Sequence, residues 1–327
     1  VEQGFDVLEA GVREAAADGI RIRVFGPADR IDLGDAPGAE LIDVRESISN
    51  LDDAVPAVRN RPEASIVKAV EDTRDGNSEA VVSLGSTGAA MAASTFGLKR
   101  LRGVKRPALA VVIPLPGKPV LLLDIGANVE VRAQHLTQFA YLGAAFSSAV
   151  MGVDSPAVGL LSVGEESGKG RGVEIEAHEV LERSGEIDFI GNVEGGDIPG
   201  AGADVIVTDG FTGNVVVKAM EGAVKVVTSS ISDAARSNPL SALGGIMLKP
   251  ALSGLRSDLH PDTTGGAILL GLRSVSVVGH GSSGPDGVAN AIRVAARGAA
   301  VDAPGLTEEM LHRVGLNRGA IDSGEQA

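Results

Sequence analysis

Short apolar runs that end in glycine-rich polar loops recur along the chain, and a stretch with helical spacing of its apolar residues follows most of them. A short apolar run bounded by glycine is typical of a buried strand. Strands that alternate with helices predict an α/β fold, here a three-layer α/β/α arrangement around a mostly parallel sheet. The runs that end in such loops are 80–84, 119–123, 158–163, 203–207 and 274–278.

The rest of the pattern predicts one large α/β domain over residues 1–317, with an apolar element protruding at 239–258 and a frayed polar tail at 318–327. Residues 41–62 are polar and irregular, and we expect a lid or a connection there. A chain that starts inside a helix is unusual for this class, so we expect a first strand and its loop to be missing before Val1. Helices are predicted at 1–17, 65–72, 89–98, 173–183, 215–230 and 289–297, with a further strand at 20–24.

Composition excludes several classes of function. The chain has no cysteine, so a disulfide, a thiolate metal site and a covalent thioester on the protein are all excluded. The net charge of −14 and the small aromatic content argue against nucleic-acid binding. No apolar run approaches the roughly 20 residues of a membrane span, and no signal peptide is visible at Val1, so we expect a soluble protein. The lack of cysteine is compatible with a reducing cytoplasm, which is the expected location.

The loop after 158–163 contains two carboxylates, Glu165 and Glu166, followed by Lys169 among three glycines. Glycines allow the backbone to approach an anion, and a lysine supplies a point charge that suits phosphate. The spacing is one residue shorter than that of a Walker A loop, and no Ser or Thr follows Lys169. A plain strand-to-helix turn with a solvated lysine is the alternative.

The other four loops have a similar design, and if all five lie at one carboxyl edge of the sheet they can share a cleft. Their neutral donors and backbone amides, together with one lysine, suit a phosphate or a developing oxyanion. Turn formation alone is the alternative for the Asp and Asn side chains. The residues concerned are Gly85, Ser86, Thr87, Gly88, Asp124, Asn128, Asp209, Asn214 and His280.

Other familiar chemistries are disfavoured. The run 279–284 matches G-x-G-x-x-G, but too little chain follows for a dinucleotide fold. No serine lies in a G-x-S-x-G context, and the histidines lack metal-ligand spacing. We therefore predict no metal and no cofactor.

Two stretches are candidate surfaces. The basic segment, residues 99–106, is either a solvated helix end or a docking patch for an acidic partner; its basic residues are Lys99, Arg100, Arg102, Lys105 and Arg106. The apolar element at 239–258 is either a membrane-surface contact or a helical hairpin at a dimer interface. The residues proposed to touch a membrane are Leu243, Ile246, Met247 and Leu248.

At these loops the chain resembles the PlsX family of bacterial phosphate acyltransferases. The runs that carry the resemblance are 83–89, 106–110, 123–128, 159–166 with Lys169, 189–194, 208–214 and 279–283, and they occur in family order. The chain departs from the family in lacking an opening strand with an Asp-Ala-Met-Gly-Gly-Asp loop. It also has Arg171 where members usually have Asn, and a Thr near 262–266 where members usually have an aromatic residue.

The resemblance implies a fold related to phosphotransacetylases and to isocitrate and isopropylmalate dehydrogenases, and a homodimer. It also implies transfer of a fatty acyl group from acyl carrier protein to inorganic phosphate. The acyl phosphate would feed phospholipid synthesis through a membrane glycerol-3-phosphate acyltransferase. Lys169 and Asn214 are the expected catalytic residues, and phosphate is expected to attack the thioester directly, because the chain has no cysteine. An acyl-CoA-using phosphotransacylase and a non-catalytic acyl-carrier or lipid-binding scaffold remain alternatives.

Overall fold

The computed structural model describes residues 4–115, 117–200, 202–237, 241, 244, 247 and 261–316. The strands are β1 (Ile22–Gly26), β2 (Ala39–Asp43), β3 (Ala80–Ser83), β4 (Ala108–Ile113), β5 (Val120–Leu123), β6 (Ala157–Ser162), β7 (Asp188–Glu194), β8 (Val205–Val207), β9 (Ala267–Leu270) and β10 (Val275–Val278). The helices are α1 (Phe5–Ala17), α2 (Ala54–Asn60), α3 (Ser65–Arg74), α4 (Thr87–Gly97), α5 (Ala133–Met151), α6 (Gly172–Ser184), α7 (Gly210–Arg236), α8 (Pro285–Ala300) and α9 (Ala303–Arg313).

The main sheet has the strand order β3-β10-β9-β4-β5-β8-β6-β7, and β1 pairs with β2 in a separate parallel ladder. Four neighbouring pairs in the main sheet are parallel: β3 with β10, β5 with β8, β8 with β6, and β6 with β7. The other three pairs, which involve β9 and β4, are antiparallel. The predicted α/β fold with a mostly parallel sheet is thus confirmed.

Strand direction divides the sheet into two halves. Three antiparallel pairings separate β10 from β5, and each of them reverses the strand direction. An odd number of reversals leaves β10 and its parallel neighbour β3 running opposite to β5, β6, β7 and β8. The loops after β5, β6 and β8 therefore lie at one edge of the sheet, and the loops after β3 and β10 lie at the other. The condition under which all five loops could share one cleft is therefore not met, because it required the five strands to be parallel.

Helices cover both faces of the sheet. On one face α5, α6, α8 and α9 pack over a core that includes Leu123, Phe139, Leu181 and Leu311. On the other face α2, α3 and α4 pack over Leu122 and its neighbours, together with the first turns of α7. A smaller core joins α1 and α8 to β1 and β2.

Several elements escaped the periodicity argument. Residues 41–62, expected to be irregular, contain the end of β2 and the whole of α2. Helix α5 is buried along almost its entire length, so it has apolar residues on all sides and no amphipathic stripe to detect. Strands β4 and β9 lack a glycine-rich loop of the kind that marked the other strands.

The apolar element at 239–258 and the tail at 318–327 lie almost wholly outside the described residues. Of the proposed membrane residues, Leu243, Ile246 and Leu248 are outside, while Met247 is described and 76% exposed. None of the helices that the structure describes is long and apolar enough to cross a membrane.

Candidate functional site

Asp124 organises the loop that follows β5. Its carboxylate accepts hydrogen bonds from the backbone N–H groups of Leu109, Gly126, Ala127 and Asn128 at 2.7–3.1 Å, and from Asn128 Nδ2 at 2.8 Å. Burial raises the pKa of Asp124, and the N–H donors act in the opposite direction by favouring the charge. Three of these donors are backbone N–H groups of the loop that Asp124 begins, and all of them bond to the same carboxylate. Asp124 therefore fixes the shape of the Asp124 loop, residues 124–128.

Asn128 is held by the same loop. Its Nδ2 donates to Asp124 and to the carbonyl of Pro107 at 2.8 Å, and its Oδ1 accepts from Arg106 Nη1 at 3.4 Å. Asp124, Asn128 and Asp209 are 0%, 4% and 1% exposed. With these side chains buried and bonded to protein groups, we interpret all three as positioning residues rather than as direct phosphate ligands, which revises the sequence-based expectation.

Helix α7 begins directly against the Asp124 loop. The N–H of Gly210 donates to the carbonyl of Asn128 at 2.8 Å, and a Cβ atom at Gly210 would lie 2.7 Å from that oxygen. A Cβ atom at Gly213 would lie 1.9 Å from the carbonyl oxygen of Asp124. Two glycines in the first turn thus allow a backbone-to-backbone contact that fixes where α7 starts.

Asp209 caps this helix. Its Oδ1 accepts from the N–H of Thr212 at 2.8 Å, and its Oδ2 accepts from Thr212 Oγ1 at 2.8 Å and from Arg171 Nη2. Burial alone would raise the pKa of Asp209, but the hydrogen bonds from Arg171 and Thr212 outweigh it and lower the pKa. An ionised cap of this kind stabilises a helix N-terminus.

Asn214, one turn into α7, is exposed and lies beside the Asp124 loop. Its Nδ2 donates to the carbonyl of Ile125 at 3.2 Å and would stand 3.7 Å from a Cβ atom at Gly126. The Nδ2 group carries a second N–H, which has no hydrogen-bond acceptor within the described part of the chain. The side chain is therefore anchored at one end and open to a ligand.

The Lys169 loop, residues 163–171 between β6 and α6, places its lysine at the same edge of the sheet. A Cβ atom at Gly164 would lie 2.9 Å from Lys169 Cγ, so the stem of the lysine crosses a position that only glycine can occupy without a shift. Gly170 has φ +113°, and a Cβ atom there would lie 2.9 Å from Ser162 Oγ. Among the described residues, Lys169 Nζ has no hydrogen-bond or ion-pair partner, and Glu165 is exposed.

Two residues that the sequence did not single out hold this loop. Asn192 in β7 donates from Nδ2 to the carbonyl of Glu166 at 2.8 Å, and its Oδ1 lies 2.9 Å from His178 Nδ1. His178 stacks edge-on against Phe189 at 5.1 Å, and both His178 and Asn192 are buried. The run 189–192 carried the family resemblance, and that was the only signal pointing to Asn192.

The residues expected after β3 and β10 form a separate cluster. The N–H of Gly279 donates to the carbonyl of Ser83 at 2.8 Å, which joins the two loops. Ser86 caps α4, and His280 Nδ1 lies 2.7 Å from Ser282 Oγ. Within the described ranges, no hydrogen bond links this cluster to Lys169 or Asn214, so a role for it in substrate binding stays a prediction; the expected binding residues here are Gly85, Ser86, Thr87, Gly88 and His280.

The basic segment lies at the Lys169 edge. Its last residue, Arg106, contacts Asn128, and its first residues line a groove of about 440 Å³ beside α4. Phe96 in this groove is 46% exposed, and the guanidinium of Arg59 lies over its ring at 5.1 Å. Arg273 adds a further exposed cation beside the basic segment. It is held there by its backbone N–H, which donates to the carbonyl of Lys99 at 3.1 Å.

Comparison with known proteins identifies the family. The family model described as "Fatty acid synthesis protein" matches residues 13–304. A phosphate acyltransferase from Pelotomaculum thermopropionicum is 42% identical over 287 residues, which cover 86% of this chain and 84% of that protein. A phosphate acyltransferase from Heliobacterium modesticaldum is 41% identical over 293 residues, covering 90% and 82%.

Solved structures agree on the fold. The EutD phosphotransacetylase from Staphylococcus aureus superposes with a TM-score of 0.53 at 15% identity, covering 89% of this chain and 99% of that one. A phosphotransacetylase from Streptococcus pyogenes gives 0.57 at 17% identity, with coverages of 89% and 91%. The sequence matches go beyond the fold: the chain belongs to the PlsX family of fatty acid synthesis proteins, whose curated members are named phosphate acyltransferases.

Proposed function

We propose that this chain is an enzyme that transfers a fatty acyl group from the thioester of acyl carrier protein to inorganic phosphate. The observation that carries the proposal is the ammonium of Lys169, which has no partner in the described part of the chain and lies at the edge of the sheet where α7 begins with Asn214 in its first turn. A helix N-terminus offers free N–H groups and a positive dipole end to an anion. A lysine beside it adds the charge that phosphate needs.

In the proposed reaction a phosphate oxygen attacks the thioester carbonyl carbon. A carbon–oxygen bond forms, the carbon–sulfur bond breaks, and the electron pair leaves with the thiolate of the carrier. Lys169 stabilises the phosphate or the oxyanion of the tetrahedral intermediate, and Asn214 donates a hydrogen bond to the same centre. Loss of one such donor typically lowers the rate about 10²–10³-fold. The chain contains no cysteine that could accept the acyl group first.

The basic segment is the proposed dock for the carrier. Acyl carrier protein is acidic and this chain carries a net charge of −14, so long-range repulsion has to be overcome by a local patch of opposite sign. The segment reaches the candidate site through the contact of Arg106 with Asn128. A carrier bound there would hold its acyl thioester at the Lys169 edge.

Trapping with hydroxylamine tests the activity. Enzyme, acyl carrier protein charged with a fatty acid, and phosphate are mixed, and acyl phosphate is detected as the hydroxamate. Hydroxamate should form with the parent and fall at least 100-fold with Lys169→Ala. Lys225→Ala, an exposed lysine far along α7, is the matched control and should leave the rate unchanged. Absence of hydroxamate with the parent would sink the enzyme proposal.

The phosphotransacetylase-like fold favours one rival, a phosphotransacylase that uses acyl-CoA. Equal rates with acyl-CoA and with acyl carrier protein at matched concentrations would favour this rival. A non-catalytic acyl-carrier or lipid-binding scaffold would bind the acylated carrier equally well before and after Lys169→Ala and form no hydroxamate with either protein.

A homodimer is also proposed. On α7 an apolar stripe starts on the core at Met220 and continues through Val224, Val227 and Ile231, which are 39%, 56% and 42% exposed. Their spacing places them on one helix face, and an exposed stripe of this kind calls for a partner. Sedimentation of Val227→Glu with Ile231→Glu should give monomers where the parent gives dimers; an unchanged dimer would show that the interface lies elsewhere.

Peripheral contact of a cytoplasmic enzyme with the membrane is the last proposal, and the exposed Met247 supports it. Flotation with anionic liposomes should be lost in Leu243→Glu with Leu248→Glu. If the variant floats as well as the parent, residues 239–258 serve another purpose.

A further inference from the structure

Arg171 connects the N-termini of two helices that start at the candidate site. Its backbone N–H donates to Glu174 Oε2 at 2.8 Å, and its Nε lies 3.0 and 3.1 Å from the two carboxylate oxygens of Glu174. Its Nη2 donates both to Glu174 Oε1 and to Asp209 Oδ2. Glu174 lies in the first turn of α6 and Asp209 is the N-cap of α7, so one guanidinium joins the two helix starts.

The positive charge of Arg171 is already balanced by two carboxylates, those of Glu174 and Asp209. Glu174 and Asp209 are both buried, and together they place two negative charges against one guanidinium. The pKa of Arg171 is raised, first by its hydrogen bonds to Glu174 and next by the one to Asp209. A cation outnumbered by its own carboxylates attracts phosphate weakly, although the side chain is 61% exposed. Lys169, two residues earlier, has no such partner among the described residues and is better suited to hold the anion.

The shape of the group matters as much as its charge. A guanidinium presents donors in a planar fork, so it bonds two carboxylates at once, whereas an ammonium is a point charge on a flexible stem. Arg171 ends the Lys169 loop, and Asp209 begins the helix that carries Asn214. The bridge from Arg171 to Asp209 therefore fixes the separation between the two groups proposed to act on phosphate.

We propose that Arg171 is a positioning residue for the acyl transfer, and that it acts by holding the Lys169 loop against the start of α7. The inference rests on the proposed function. It predicts a loss in kcat with little change in the KM for phosphate, because both groups remain present and only their relative placement suffers. Misplacement by about 1 Å is enough to lower a rate about 100-fold.

The test measures kcat and the KM for phosphate by hydroxamate trapping in Arg171→Gln, Arg171→Lys and Asp209→Asn. Each variant should lose kcat about 10- to 100-fold, and Arg171→Lys should not rescue, since an ammonium cannot fork onto both carboxylates. Asp209→Asn keeps a good helix cap, so its effect reports on the bridge and not on the helix start.

The double variant Arg171→Gln, Asp209→Asn should lose no more kcat than either single change, because both changes break the same bridge. Arg183→Gln, in the last turn of α6, is the matched control and should keep the parental kcat.

Full activity in Arg171→Lys would overturn the inference, because charge alone would then suffice. A raised KM for phosphate at unchanged kcat would also overturn it, because Arg171 would then be an anion ligand. Parental kinetics in Arg171→Gln would overturn only the inference about Arg171 and leave the proposed function intact. An inactive parent would defeat both. If Arg171→Gln fails to fold, Asp209→Asn decides: a kcat loss at parental KM supports the bridge, and parental kinetics overturn it.

Discussion

A Cβ atom at Gly213 would stand 1.9 Å from the carbonyl oxygen of Asp124, closer than any side chain tolerates. Gly213→Ala should therefore displace α7 and lower the free energy of unfolding by about 1–3 kcal/mol or more. Urea denaturation measures this change in the free energy of unfolding. Gly222→Ala in the same helix has nothing within 4 Å and should raise stability by up to about 1 kcal/mol, as removal of a helical glycine does. Equal effects of the two changes would contradict the close contact.

Asp124→Asn should destabilise the fold at neutral pH. An amide has one oxygen in place of the carboxylate pair, and its NH₂ group would face N–H donors such as those of Ala127 and Asn128. Leaving one buried donor unsatisfied costs about 1–3 kcal/mol, and more than one donor loses its acceptor here. Asp154→Asn, at an exposed position, is the control in urea denaturation. A variant as stable as the parent would mean that Asp124 does not organise its loop as a carboxylate.

Asn192→Ala removes the bond that holds the carbonyl of Glu166. The Lys169 loop should then become more mobile, so kcat in the trapping assay should fall about tenfold or more while the protein stays folded. Asn77→Ala, an exposed asparagine between α3 and β3, serves as the control. An unchanged kcat would show that the loop does not need this anchor.

Reversing two charges of the basic segment, Arg100→Glu with Arg102→Glu, should raise the KM for acylated carrier protein at least tenfold and leave the KM for phosphate unchanged. The effect should shrink as salt rises, because ionic strength screens exposed charges. Arg297→Glu with Arg313→Glu makes the same change of net charge at exposed positions on α8 and α9 and should have little effect. Parental rates at limiting carrier would remove this surface as the dock.

His135 should make stability depend on pH. Burial lowers its pKa, and the nearby cations Arg106, Arg132 and Lys105 lower it further. Its Nδ1 accepts a hydrogen bond from the N–H of Arg132 at 3.1 Å, which requires an unprotonated nitrogen. The unfolded chain binds a proton near pH 6.5 while the folded chain resists it, so this contribution is present above about 6.5 and is lost as pH falls through the folded pKa.

His135→Gln should flatten that dependence. Glutamine at this helix position can accept the same N–H bond without titrating. Thermal unfolding at pH 7.5 and pH 5 should show a smaller drop in the variant than in the parent. The same drop in both proteins would assign the acid sensitivity to other groups.

Sequence periodicity determined the elements with clear local signals. Runs such as the one that forms β8 are short, apolar and bounded by polar loops, so their composition alone predicts a strand that is buried on both faces. The motifs with Lys169 and Asn214 were likewise visible, because glycine-rich loops and the family resemblance mark them locally. The basic segment needed only its charges to be found.

Tertiary structure alone decided which loops meet. Strand direction depends on pairings between residues far apart in the chain, and the antiparallel strands β4 and β9 reverse the sheet between β10 and β5. That reversal separates His280 from Lys169, which local pattern could not reveal. Positioning contacts are equally non-local: Asn192 reaches Glu166 across 26 residues, and Arg171 reaches Asp209 across 38. The sequence determined which residues are proposed to carry the chemistry, whereas their distances depend on how the sheet brings its strands together.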